Sequence, residues 1–198
     1  MDKNFENHVA TVLLENEDFF ILNWQDKEGS NEYQIRYVLD KKEGTLYLSG
    51  DLGSCVACWY NRVIPENLAG FMNNPGYFLE KCECSSDNYI RTEEQIEKDV
   101  DVLREENKAD LEEKYEGEEL EKKLKELEDD FNEIEYYLSC EAPKTGDLFL
   151  SNEIIEVFEK YYDGDWGEVA QILGKTIHPR VFLWIEGFQL ALKQLGRI

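Results

Sequence analysis

Histidine is almost missing from this 198-residue chain: His8 and His178 are the only two. A Cys–His nucleophile pair therefore has no local signature, and His178, directly before Pro179, reads as a structural residue at a helix start. Basic residues are scarce as well. The chain holds 21 Lys and Arg against 44 Asp and Glu, a net charge of −23. That balance argues against direct binding to nucleic acid or to an anionic membrane, and it favours a basic partner or simply high solubility. No run of about 18 apolar residues exists, so no membrane span is expected. The N-terminal stretch from Met1 to Glu6 lacks an apolar signal core, which makes a cytoplasmic location the expectation. The cysteines number five, an odd count, and reduced thiols are expected there rather than a disulfide framework.

Site motifs are missing too. There is no Asp-x-Asp run with a glycine turn and a distal Glu, the pattern of a calcium loop. Gly50-Asp51-Leu52-Gly53 has neither the lysine nor the helix start of a phosphate loop. Asp99 and Asp101 belong to one helix and face apart. Carboxylates are so numerous that acid–base pairs arise by chance. No catalytic residue, cofactor or resident metal ion is expected, and no internal repeat is visible.

What is present is a long periodic stretch from Thr92 to Cys140. Leu120, Leu124, Leu127, Phe131, Ile134 and Leu138 are spaced 4, 3, 4, 3, 4, a heptad stripe whose apolar face must be covered. Ile96, Val100, Leu103, Leu111 and Tyr115 mostly obey the same rule, with Asn107 falling on the seam. Thr92-Glu93-Glu94-Gln95 matches a capping box, in which Thr92 accepts from the Gln95 amide and Gln95 reaches back. Gly117 can take φ > 0 and end the first helix. The expectation is a long antiparallel helical hairpin.

Before it the period is two. Phe20, Leu22 and Trp24, then Tyr33, Ile35, Tyr37 and Leu39, then Leu46 and Leu48 each share a face, and glycine-containing turns separate them. Residues 54–60 make a fourth strand and residues 77–84 a possible fifth; residues 1–16 fit either a helix or a strand. This is an antiparallel meander of four to five strands. Pro65 starts a short helix, stopped by Asn73-Asn74-Pro75-Gly76. After a break at residues 143–146, residues 152–162 and 166–173 read as helices separated by Asp163-Gly164-Asp165. Pro179 begins a last helix too apolar to be free. The class is α+β. The expected division is residues 1–90 for the sheet, 91–142 for the acidic hairpin and 143–198 for C-terminal helices on a common core.

The cysteines come as Cys55-x-x-Cys58 and Cys82-x-Cys84, a set that suggests structural zinc. The local chemistry argues otherwise. Cys55 and Cys58 lie in a predicted strand, where positions i and i+3 point to opposite faces, and the Gly and Pro of a zinc knuckle are missing. Buried free thiols are the expectation. A thioredoxin-like role is disfavoured because the pair does not open a helix.

Charge is concentrated in the hairpin. Residues 91–142 hold 21 acidic and 8 basic side chains, a net of −13. The plain reading is a solvated helix face. The sharper one is a negative surface that competes for a nucleic-acid-binding groove, carboxylates on a rigid rod approximating a row of phosphates. Lys122, Lys123 and Lys125 interrupt the field, so the mimicry is partial. The expected contact residues are the outer-face carboxylates Glu105, Glu112, Glu113, Glu126, Asp129, Asp130 and Glu133.

Tyr37-Val38-Leu39-Asp40, Gly44-Thr45-Leu46-Tyr47-Leu48-Ser49-Gly50-Asp51-Leu52-Gly53 and Trp59-Tyr60-Asn61, with Tyr77-Phe78 and Cys84-Ser85-Ser86-Asp87, resemble small acidic accessory proteins encoded by phages and mobile elements of Gram-positive bacteria. The likeness covers roughly residues 30–90 and leaves the hairpin outside. Anti-CRISPR inhibitors are drawn from such gene neighbourhoods. The resemblance therefore implies a non-enzymatic inhibitor of a host defence nuclease, acting in the host cytoplasm on a basic protein or ribonucleoprotein such as a CRISPR effector nuclease. It supplies no functional residues. The alternatives are a small enzyme acting on a nucleotide signal or guide RNA, and a structural protein that dimerises through the heptad stripe.

Overall fold

Alternating apolar residues from Phe19 to Ala57 build the main sheet. In a computed structural model, which describes residues 3–162, 164 and 166–198, a 3-10 turn at Lys3–Phe5 leads into strands β1 (His8–Glu15), β2 (Phe19–Asp26), β3 (Ile35–Asp40), β4 (Thr45–Gly50) and β5 (Cys55–Cys58). Helices α1 (Pro65–Met72) and α2 (Pro75–Glu80) precede strands β6 (Cys82–Ser85) and β7 (Tyr89–Arg91). Next come α3 (Glu93–Lys114), α4 (Gly117–Tyr136), a π-helical turn at Tyr137–Glu141, α5 (Asn152–Tyr161), α6 (Trp166–Ile172), β8 (Lys175–Ile177) and α7 (Pro179–Gln194). The fold is α+β, with an antiparallel sheet of six strands in the order β1-β2-β3-β4-β5-β6 and several C-terminal helices. Among the described residues, no helix is long and apolar enough to cross a membrane.

The chain forms two compact units. One comprises Met1–Asn88 and His178–Ile198, the other Tyr89–Ile177. The second is thus an insertion in the sequence of the first. In the first unit, Phe20, Leu22, Trp24, Ile35, Tyr37, Leu39, Leu46, Leu48, Cys55 and Ala57 are buried on one face of the sheet. Helix α7 contributes Trp184, Ile185, Phe188, Ala191 and Leu192 to the same core and packs on β1, β2 and β3. Gly187 allows that approach: a Cβ there would lie 2.8 Å from the Tyr37 hydroxyl, 3.0 Å from Ile35 Cδ1 and 3.1 Å from Trp24 Cδ1. The Tyr37 hydroxyl donates to the Trp184 carbonyl at 2.8 Å, and burial pushes its pKa well above the usual phenol value.

The heptad stripe is the core of the second unit. Leu127, Phe131, Ile134 and Leu138 are buried with Ile96 and Val100 of α3 and with Ile154, Val157 and Phe158 of α5. The Thr92 hydroxyl caps α3 by accepting from the Gln95 amide at 3.3 Å. The other half of the capping box is not made, because Gln95 Nε2 donates forward to Asp99 at 2.8 Å. Gly117, at φ 62°, opens α4 two residues after the extended Tyr115. The ends of the insertion pair with each other, Tyr89 opposite Ile177 and Arg91 opposite Lys175. Arg91 is buried, donates to the carbonyls of Gly146 at 3.2 Å and Gln171 at 3.3 Å, and has its pKa lowered by burial.

Several expectations need correction. Residues 1–16 contain a strand, β1, paired with β2. Residues 77–84 are not one strand: α1 ends at Met72 with Asn73 as its C-cap, as expected, but Asn74 caps a second helix by accepting from the Tyr77 amide at 3.1 Å, so α2 starts at Pro75 and the strand begins only at Cys82. Tyr33 precedes β3, at φ 56°. Strands β7 and β8, three residues each, are too short to show a period. The helices after residue 143 do not share one core, since α5 and α6 belong to the inserted unit and α7 to the sheet. Asp163 and Asp165 of the expected break lie outside the described residues.

The contact at Gly187 yields a test. Gly187→Ala gains about 1 kcal/mol of helix propensity but overpacks the core at a cost of about 1–3 kcal/mol, so urea denaturation should show net destabilisation. Tyr37→Phe removes the nearest atom. The double variant should therefore lose less stability than the two single losses added together.

Candidate partner-binding surface

Helices α3 and α4 pack along each other, and a few charged groups fix the match. Arg104 on α3 has a side chain only 16% exposed. It bonds Asp101 one turn earlier and reaches α4 at Asn132 Oδ1 (3.2 Å), Glu135 (3.3 Å) and Glu128 (3.6 Å). Asn107, the polar residue on the seam, donates to the Leu103 carbonyl at 2.8 Å and to the Tyr162 hydroxyl at 2.9 Å. Asp99 accepts from the Gly174 amide at 2.8 Å. It faces away from Asp101, as their spacing requires.

The expected contact residues divide by environment. Glu105, Glu112, Glu113, Asp129 and Glu133 are exposed. Glu105 is 3.7 Å from Lys108. Among the described residues, the side chains of Glu112, Glu113, Asp129 and Glu133 have no hydrogen bond or ion pair. Glu126 is half-buried and bonded to Lys123 at 3.0 Å; that bond lowers the carboxyl pKa and raises the ammonium pKa. Asp130 does not belong to the outer face. It is 8% exposed and accepts from Lys160 Nζ at 2.8 and 2.9 Å and from the Tyr161 hydroxyl at 2.8 Å. Burial first, then this bond, pushes the Tyr161 phenol pKa up. The signal was present in the sequence: Asp130 stands three residues after Leu127 and four before Ile134, on the apolar stripe itself,.

Two exposed strips result. On α3, Val102, Glu105, Ala109, Glu112 and Glu113 follow one another at helical spacing, all exposed,. On α4, Asp129, Glu133 and Tyr136 do the same, Tyr136 at 62% exposure and Val102 at 57%. Sequence reading missed these apolar positions, because a single apolar residue off the stripe carries no periodic signal. The inserted unit, residues 89–177, holds 28 acidic and 11 basic side chains, a net of −17, against 16 and 10 in the remaining 109 residues, a net of −6.

A cavity of about 280 Å³ near α3, α4 and α5 is lined by charges of both signs, Asp110 and Glu126 with Lys114, Lys123 and Lys160. Among the described residues, no group of three or more His, Cys, Asp and Glu side chains is placed to hold a metal ion. Cys55 and Cys58 bond different neighbours: Cys55 Sγ lies 3.1 Å from Cys82 Sγ, whereas Cys58 Sγ accepts from the Thr45 hydroxyl at 3.4 Å. His178 caps α7, Nδ1 accepting from the Arg180 amide at 3.1 Å, and burial followed by the Arg180 charge lowers its pKa. His8 packs against Phe5 and Trp24. No family model, curated protein or solved structure matches the chain in the comparisons made.

Adjacent aspartates give a direct test of this division. Asp130→Ala should destabilise the protein by about 1–3 kcal/mol, since it removes a buried carboxylate that accepts from Lys160 and from the half-buried Tyr161 hydroxyl,. Asp129→Ala should stay within about 0.5 kcal/mol. Chemical denaturation of the two variants makes the comparison, and equal losses would contradict it.

Proposed function

We propose that the protein is a non-enzymatic inhibitor that docks its acidic helices on the basic, nucleic-acid-binding surface of a host defence nuclease of the CRISPR effector kind. The helices act as an antiparallel hairpin and as a partial nucleic-acid mimic. The observation that carries this reading is the carboxylate surplus on α3 and α4. Arg104 already engages Asp101, Glu128 and Glu135, and Lys160 engages Asp130. Glu112, Glu113, Asp129 and Glu133 remain on exposed strips without an internal role.

Carboxylates free of internal partners repel one another and weaken a fold. Against a basic cleft the same field accelerates encounter and sets orientation. Val102 and Tyr136 lie within the strips, and an aromatic side chain amid charges is a typical energetic anchor of an interface. The resemblance carried by residues 30–90 supports the same class of target. Nothing in this reading requires turnover, so inhibition should saturate near one protein per complex.

Charge reversal tests it. The variant Glu105→Lys, Glu112→Lys, Glu113→Lys, Asp129→Lys should keep its thermal transition and lose inhibition of the captured nuclease. Binding of the unaltered protein should weaken steeply as salt rises from about 50 to 200 mM. Full inhibition by the reversed variant would reduce the acidic strips to a solubility device.

A further inference from the structure

Three of the five cysteines meet at one edge of the main sheet. Residue Ala57 of β5 lies opposite Cys82 of β6, Val56 opposite Cys84 and Cys55 opposite Ser85, with a register shift between Val56 and Ala57. Alternation puts Cys55 and Ala57 on one face of β5. Cys82, opposite Ala57, is therefore a diagonal neighbour of Cys55, and their sulfurs lie 3.1 Å apart. The two residues are 27 positions apart in sequence, and the segment between them carries α1 and α2. Cys55 is buried, Cys82 is half-buried and Cys84 is exposed.

The separation discriminates between the chemistries open to two thiols. A tetrahedral metal holding thiolates at about 2.3 Å spreads its sulfurs to about 3.7 Å. A disulfide brings them to about 2.05 Å, an approach of about 1 Å from the observed contact. Cys58 is unavailable as a third ligand, because it is engaged by Thr45 on the opposite strand neighbour. We propose that Cys55 and Cys82 are a reversible oxidation site, forming an intramolecular disulfide that ties edge strand β6 to β5.

The half-buried Cys82 meets the oxidant and Cys55 resolves. With a peroxide, the Cys82 sulfur attacks one peroxide oxygen, the O–O bond breaks, and a sulfenic acid and water form. The Cys55 sulfur then displaces the sulfenic oxygen as a second water, and the S–S bond forms. Two thiols are oxidised and one peroxide is reduced. Electrostatics supports this order: the contact between the two sulfurs, in which either can donate, and then burial push the Cys55 thiol up, while the same contact lowers Cys82, and the more acidic thiol is the readier nucleophile. This site belongs to the sheet and does not rest on the acidic helices.

The experiment uses the full chain. It is treated with hydrogen peroxide at equimolar ratio, alkylated with N-ethylmaleimide in denaturant, and read by intact mass and peptide mapping. Alkylated thiols should fall from five to three, one cross-linked peptide pair should join Cys55 to Cys82, and dithiothreitol should restore all five. Cys84→Ser should leave the cross-link unchanged. A cross-link through Cys58, Cys84 or Cys140 in the unaltered protein would overturn the assignment. So would five alkylated thiols after treatment, or over-oxidised Cys82 beside an alkylated Cys55.

Discussion

A sheet with one apolar face must be covered, and here the cover arrives last. The buried residues of β2 to β5 have no partner layer in the strands themselves; α1 and α2 are short, and α7 supplies Trp184, Phe188 and Leu192. The apolar burial that stabilises this unit therefore depends on α7 together with α1 and α2,. The approach is close enough that position 187 has no room for a side chain. The chain cannot complete its first unit until it has passed through 89 residues of the second, residues 89–177. Pairing of β7 with β8 keeps the two ends of that insertion together, so the loop that must close to bring α7 back is short in effect. Continuation of that ladder within the first unit, His178 N–H donating to the Asn88 carbonyl at 2.8 Å, carries the pairing to the point where α7 begins.

The inserted unit solves a different problem. Its surface is so acidic that packing must proceed against self-repulsion. The few cations are placed where they do most: Arg104 between α3 and α4, Lys160 on Asp130, and Arg91 buried among carbonyls. Arg suits the first and last of these positions because its planar group reaches several acceptors at once. The carboxylates that remain on the exposed strips contribute nothing to this network.

Legibility in the sequence followed the strength of the periodic signal. The period-two runs at Phe20-Leu22-Trp24 and Ile35-Tyr37-Leu39 located β2 and β3, and Pro65 and Pro179 marked the starts of α1 and α7. Strand β1 was obscure because it shows no alternation: Val9, Val12, Leu13 and Leu14 are all exposed. Helix α2 was hidden by its opening dipeptide, since Pro-Gly reads as a turn unless the preceding Asn74 is recognised as a cap. Asp130 illustrates the limit at the candidate surface. Its neighbours in the sequence are acidic, which argues for solvent, while its spacing from Leu127 and Ile134 argues for the core. Periodicity was the physically stronger cue, because position on a helix decides which way a side chain points and composition does not. The Cys55–Cys82 contact had no cue at all, since diagonal pairing across a strand edge depends on a bulge that no local pattern announces.

The same reasoning constrains how the acidic strips can act. A carboxylate paired with a cation presents less charge to a partner, so Asp130, Glu126 and the groups around Arg104 contribute less to binding than the unpaired ones, and Arg104 keeps α3 and α4 in register. Carboxylates without such partners present nearly a full charge, screened only by salt. A surface meant solely for solubility needs charge but not register. Here Arg104 bonds Asn132 and Glu135 across α3 and α4 and holds the two charged helices at a fixed spacing, which a partner with regularly placed charges can match. That fixed spacing, more than the net charge, is what supports the proposed docking on a groove shaped for a polyanion.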